Sequence, residues 1–195
     1  MPDLSIAYGK LIEALGSADV DEIGEALLSA SGARYESTVG DCELLFFTQG
    51  SARFLFDLAS SRDLPQADRT VAAYAATPAS VATRDASYQR GFPMEPASET
   101  EPVDRGHLIP RLSGGEYGPN IFRQDRALNR GWSEEGKQFR ELERRAAARV
   151  GSLYFGHLIY TDDSDYPAEL ETGWAHQGVA EFRRFDNRPF IVRVA

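Results

Sequence analysis

Apolar and polar residues alternate along this chain in two rhythms. Leu4, Tyr8, Leu11 and Leu15 recur at the spacing of a helix face, and Val20, Ile23, Leu27 and Leu28 resume it after the Ser17-Ala18-Asp19 break. Two short acidic helices are therefore expected at the start. ELLFFT (43–48) and ARFLFDL (52–58) are runs of strand length separated by a turn at Gln49-Gly50, which predicts a hairpin opening a sheet. From Leu64 to Val103 the periodicity weakens and Pro65, Pro78, Pro93, Pro96 and Pro102 punctuate the chain, so this segment reads as mostly irregular. Long loops inside compact domains are often functional.

Val103 to Ile109 reads as a short strand closed by Pro110, followed by the glycine-rich loop RLSGGEYGP. Ser133 to Arg149 is the clearest helix. Ser133 suits its N-cap, Glu134 and Glu135 fall in its first turn, and Arg144, Arg145 and Arg149 lie near its end, matching the helix dipole. SLYFGHLIYT (152–161) predicts a buried strand, and AEFRRF and PFIVRV flank Asp186-Asn187 as a terminal hairpin. Helices, then strands, then one helix among strands make an α+β fold on a mainly antiparallel sheet. Residues 1–35 are expected as an acidic helical appendage to a main domain over 36–195.

At 195 residues the chain can bury one sizeable core, and 42% hydrophobic and 26% charged residues argue against disorder. No apolar run reaches the roughly 18 to 20 residues of a membrane span, and MPDLSIAYGKLIEALG lacks the basic flank and apolar core of a signal peptide. The expectation is a chain that is neither membrane-bound nor Sec-exported, located in the cytoplasm or exported by a specialised route. A single cysteine, Cys42, excludes an internal disulfide and a thiolate-rich metal site. Within DCELLFF it reads as a small hydrophobe at the edge of a buried strand.

Charge changes the picture more. The net charge of −9 argues against a nucleic-acid partner, yet it is unevenly spread. Residues 1–50 hold two bases and nine acids, whereas residues 104–151 hold ten bases and seven acids. Local field matters more than the total. The basic stretch contains DRGHLIPR (104–111), where strand alternation puts Arg105 and His107 on one face and Asp104 and Gly106 on the other. An imidazole beside a guanidinium supplies a general base for water and a fixed cation for phosphate, as phosphodiester hydrolysis requires. Downstream, NIFRQDRALNRGW (120–132) offers Asn120, Gln124 and Asn129, whose amide oxygens suit a hard cation such as Mg²⁺ and equally suit turns and caps. On the long helix, Trp132, Phe139, Leu142, Ala146 and Val150 share one side. Glu143 falls inside that stripe, with Glu135 at its start. An inward carboxylate needs a partner or a metal, so Glu143 is a candidate site residue. Glu134 and Glu141 project away as solvated surface.

These residues coincide with a family pattern. DRGH, then N-x-x-x-Q-x-x-x-x-N-x-G-W, then a helix bearing glutamate, resembles the DNA/RNA non-specific endonucleases of the ββα-metal superfamily over roughly residues 80 to 145. The resemblance implies a ββα-metal core and metal-dependent cleavage of DNA or RNA without base specificity. It implies that His107 is the general base, that Asn129 is the direct protein ligand of one Mg²⁺, with Mn²⁺ able to take its place, and that Asn120 supports the site. Arg105 would help organise it, Arg84 in the TRD stretch would be the upstream phosphate-binding arginine, and Glu143 would hold metal-bound water. Two positions depart from the family pattern: Arg123 stands where a proline usually precedes the glutamine, and Gly136 stands at the commonest position of the helical glutamate. The resemblance also admits a toxin or effector role, with an inhibitor or immunity protein as partner. The alternative from another class is a non-catalytic binding module that uses its acidic helices to hold a basic partner. Of the remaining histidines, His157 within GHLIY reads as a core residue and His176 in the loop-like GWAHQG gives no specific signal. Asp162, Asp163, Asp165, Glu169 and Glu171 lack EF-hand spacing and read as a solvated loop.

Overall fold

A computed structural model of the chain describes residues 4–16, 18–63, 67–81 and 102–189. In chain order its elements are α1 (Tyr8–Leu15), α2 (Val20–Val39), β1 (Leu44–Gln49), β2 (Ala52–Asp57), β3 (Arg69–Ala76), β4 (Val103–His107), β5 (Ile121–Asp125), α3 (Arg126–Arg130), α4 (Glu134–Ala147), β6 (Leu153–Ile159), β7 (Glu169–His176) and β8 (Val179–Asp186). Six strands form one sheet in the order β1-β2-β3-β6-β7-β8, every neighbour antiparallel, while β4 and β5 pair only with each other. The fold is thus α+β on a mostly antiparallel sheet. No helix among the described residues is long and apolar enough to cross a membrane.

Side-chain alternation sorts the sheet into two faces. Phe155 and His157 of β6 point to one side, where Tyr8 of α1 stacks on Phe182 at 4.5 Å and tilts against Phe155 at 5.8 Å. On that side α2 lies so close to β3 that Gly24 sits under the Tyr74 ring, with no room for a Cβ. The other face carries the hairpin β4–β5 and the helix α4: Leu108 packs against the bare Gly156 backbone, and Phe139 meets Phe185 edge-on at 5.5 Å. The sheet is therefore the middle of three layers. The helical segment expected as an appendage contributes Tyr8, Ile12, Ile23, Leu27 and Leu28 to the same hydrophobic cluster as β3, β6 and α4.

Several expectations are corrected. β3 was hidden within the segment read as irregular; RTVAAYAA is a central strand with seven of eight residues buried. Its two faces are both covered, so it shows no alternation, and its alanines carry little strand propensity. Helix α2 is not short, running for 20 residues from a capping box in which Asp19 accepts from Glu22 N at 2.9 Å. Strand β1 is an exposed edge, with Phe46 56% exposed, so Cys42 does not border a buried strand; the thiol is half-buried, and burial raises its pKa. Strand β8, which carries AEFRRF, pairs with β7 across a turn at Gln177-Gly178; the hairpin expected between AEFRRF and PFIVRV falls on residues 190–194, which lie outside the described residues.

The reading of the acidic set as a solvated loop fails for its two glutamates. Glu169 and Glu171 belong to β7 and are buried. Glu171 accepts from Tyr8 Oη at 2.5 Å, from Ser5 Oγ at 2.6 Å and from the Ser5 backbone amide, and His157 Nδ1 lies 3.4 Å from it. His157 is thus the core histidine expected. In the loop itself, Asp162 pairs with Arg188 at 2.5 Å and Asp165 with Arg123 at 3.3 Å. Burial alone would raise the Asp162 carboxyl, but hydrogen bonds from Arg188 and Ser164 outweigh it and bring the pKa to about 2.

Candidate active site

Two asparagines fix the hairpin, one from within its own connecting loop and one from beyond β8. Asn120 is fully buried; its Oδ1 accepts from Ile109 N at 2.7 Å, and its Nδ2 donates to Ile109 O at 2.9 Å and Glu116 O at 2.7 Å. That amide continues the strand pairing just past His107. From the other end, Asn187 accepts from Asp125 N at 2.9 Å and donates to Arg123 O and Pro167 O. Within the hairpin, Gly106 faces Phe122 in register, and a Cβ there would lie 2.6 Å from Gln124 Cβ. Gln124 is buried and its amide finds no hydrogen-bond partner among the described residues.

The chain leaves β5 directly into α3, whose N-cap Asp125 accepts from Leu128 N at 2.7 Å. Arg126, Asn129 and Arg130 recur at the spacing of one helix face and all meet Asp104 of β4. Arg130 holds both carboxylate oxygens, at 2.6 and 2.9 Å; Arg126 Nε lies 3.2 Å from Oδ1, and Asn129 Nδ2 donates to Oδ2 at 3.1 Å. Burial alone would raise the Asp104 carboxyl, but these bonds hold it below its ordinary value. Gly131, at φ 71°, then turns the chain in the left-handed conformation that favours glycine, and Ser133 caps α4 by accepting from Gly136 N at 2.9 Å.

Gly136 stands where the endonuclease pattern that the sequence resembles commonly has its glutamate. A Cβ there would overlap the Ala127 carbonyl oxygen and lie 3.0 Å from both Gly131 Cα and Leu128 O. Helix α3 rests on that bare turn of α4, which leaves no space for a glutamate side chain. The buried stripe of α4 is Gly136, Phe139, Leu142 and Ala146; Trp132 and Val150, expected in it, are exposed, and Trp132 at 64% exposure carries Arg130 over its ring. Glu135 is exposed, and Glu143 is the glutamate that faces inward.

Arg105 and His107 of β4, Asn129 of α3 and Glu143 of α4 line one cleft of about 340 Å³, joined by Pro110, Arg111, Leu112, Arg140 and Arg144. Glu143 is its one carboxylate among the described residues, beside four arginines. The Glu143 side chain is 20% exposed, and burial pushes its pKa up to about 7, opposed by Arg140, whose Nε lies 3.8 Å away. Tyr117 of the glycine-rich loop tilts toward the His107 ring, with centroids 5.7 Å apart. Four of the sequence-chosen residues thus meet. Asn120 does not line the cleft and acts on the backbone behind it. Arg84 lies outside the described residues. Sequence reasoning missed Arg111, Arg140 and Arg144 as cleft residues; Arg140 and Arg144 flank Glu143 on the helix and could have been found from its wheel.

No protein-family model matches the chain, and a search of curated protein sequences finds no match. The donor set can be judged on its chemistry. Among the described residues no three His, Cys, Asp or Glu side chains gather as a metal-holding group. What the cleft offers is an amide with its nitrogen held by Asp104 and a partly desolvated carboxylate, which suits a hard cation that keeps several waters. The surface of the alternative reading is partly engaged internally: Tyr74 Oη donates to Asp21 and Glu25, and Glu25 also pairs with Arg53.

Proposed function

We propose that this chain is a metal-dependent endonuclease, built on a ββα-metal core of β4, β5 and the following helices, that hydrolyses phosphodiester bonds of DNA or RNA without base specificity. One observation carries the reading: a histidine, an amide and an inward carboxylate from three elements line the same cleft, surrounded by arginines in a chain of net charge −9. Such a cleft attracts anions against the sign of the whole molecule.

In this mechanism His107 accepts a proton from water, and the hydroxide formed attacks phosphorus as the bond to the leaving oxygen breaks. Imidazole suits the task because its ordinary pKa lies near neutrality. Arg105 and Arg140 hold the non-bridging oxygens, where a guanidinium pairs two donors with a phosphate. Asn129 would hold Mg²⁺ or Mn²⁺ through its amide oxygen, with Glu143 holding metal-bound water. The cation supplies charge stabilisation for the transition state and the leaving oxygen. Because phosphate and not base edges are contacted, cleavage follows shape and charge more than sequence.

Plasmid nicking tests the reading. Purified protein is expected to relax and linearise supercoiled DNA with Mg²⁺ or Mn²⁺, to stop in EDTA, and to lose activity as His107→Ala. Undiminished nicking by the alanine variant, or none with any divalent cation, would falsify it.

A further inference from the structure

We propose that Asp104 is a positioning residue that turns the oxygen of the Asn129 amide, and not its nitrogen, toward the cleft; this rests on the nuclease reading above. An asparagine amide has two chemically opposite ends of nearly equal shape, and only the oxygen binds a cation. Which end faces the cleft must be set by what holds the other. Here the holder is a carboxylate, and an ionised carboxylate only accepts hydrogen bonds.

The geometry leaves little freedom. Asp104 receives both nitrogens of Arg130 at 2.6 and 2.9 Å and Arg126 Nε at 3.2 Å, so it is fixed and anionic; its side chain is 14% exposed. The Asn129 NH₂ group donates to it at 3.1 Å, and Oδ1 makes no hydrogen bond among the described residues. Rotating the amide by half a turn would set oxygen against carboxylate and exchange a charge-assisted bond for a repulsion. The same contact polarises the amide, raising the electron density on the oxygen. Outer-shell carboxylates commonly act in this way on metal ligands.

Mn²⁺ titration followed by electron paramagnetic resonance, on the full chain without nucleic acid, tests this apart from activity. Wild type is expected to bind Mn²⁺ and Asn129→Ala to lose it. Asp104→Asn removes the charge and can offer either end to Asn129, so binding is expected to weaken about ten- to a hundredfold. The exchange variant D104N/N129D restores the pairing in reverse: the amide now at position 104 donates to the carboxylate now at position 129, whose second oxygen remains a ligand, and Mn²⁺ binding should recover most of that loss. Arg130→Ala loosens the clamp on Asp104 without touching its bond to Asn129 and should bind Mn²⁺ nearly as wild type does.

Asp104→Asn binding as tightly as wild type would overturn the proposal while leaving the nuclease reading intact. So would an exchange variant no better than Asp104→Asn, or an Arg130→Ala loss as large as that of Asp104→Asn, because each would make Asp104 a mere fastener of α3. Failure of wild type itself to bind Mn²⁺ would overturn the metal reading and this proposal together. Should Asp104→Asn not fold, the other two are read against wild type: an exchange variant binding Mn²⁺ within about tenfold of wild type supports the proposal, and one weakened about a hundredfold, or an Arg130→Ala loss of that size, overturns it.

Discussion

The two faces of the sheet hold the same pair of residue types in opposite states. On the α1–α2 side, His157 and Glu171 are 2% and 0% exposed, and the carboxylate is surrounded by Tyr8 and Ser5 donors. On the hairpin side, His107 and Glu143 open onto a cleft among arginines. The closed pair ties the N-terminal segment to β6 and β7, and both oxygens of its carboxylate accept hydrogen bonds inside the protein. The open pair has room for a ligand beside it. A histidine with a carboxylate nearby is therefore no signature of chemistry; open space and a lining rich in arginine are what distinguish the two.

The largest effect that sharpens this contrast is on cleavage. His107→Ala is expected to lower the rate about 10²- to 10⁴-fold while leaving the denaturation midpoint in place. His157→Ala should do the reverse, moving the midpoint and sparing the rate per folded molecule. Equal rate losses in both variants would erase the distinction.

Next comes the closed carboxylate. Glu171→Ala leaves Tyr8, Ser5 and His157 without their acceptor, for an expected loss of about 3 kcal/mol or more in urea denaturation at neutral pH. Burial alone would raise the Glu171 carboxyl, but hydrogen bonds from His157, Ser5 and Tyr8 outweigh it and hold it below its ordinary value. Its contribution is therefore present above the unfolded carboxyl pKa and lost as pH falls through the lowered folded value, so the gap between variant and wild type should close in acid.

The open carboxylate has the opposite sign. With Glu143 raised from 4.5 to about 7, the metal-free native state holds a proton that the unfolded chain has released. Stability should therefore fall as pH rises from 4.5 to 7 and level off above. Glu143→Gln is expected to stabilise the protein in EDTA by on the order of 2 kcal/mol at about pH 8, with the gain vanishing toward about pH 4.5. A gain independent of pH would break the contrast between the two carboxylates. Smallest is Arg144→Ala, expected to weaken DNA binding and to reduce the steepness of its salt dependence by about one counterion, with little change in kcat.

Much of this site was legible because it is local. DRGH is a strand, so alternation alone pairs Arg105 with His107, and the α4 wheel alone turns Glu143 inward. Cleft residues from different elements were harder, since nothing in the pattern brings Arg111 beside Arg144. The sheet was read less well than the site. RTVAAYAA has no polar face to betray its period, because both its sides are covered. Glu169 and Glu171 read as loop residues because buried carboxylates are rare, and the partners that make Glu171 tolerable lie more than 160 positions away in Ser5 and Tyr8. Trp132 was misplaced for a simpler reason: it precedes the Ser133 cap, so the helical wheel does not apply to it.

Gly136 sets a dimension of the molecule. Helix α3, which carries Asn129, touches α4, which carries Glu143, where a methyl group would collide with a carbonyl oxygen. The spacing between amide and carboxylate is thus gauged by a hydrogen atom. Any larger residue at 136 would act as a shim between the helices, widening the gap between amide and carboxylate while leaving every residue of the cleft unchanged.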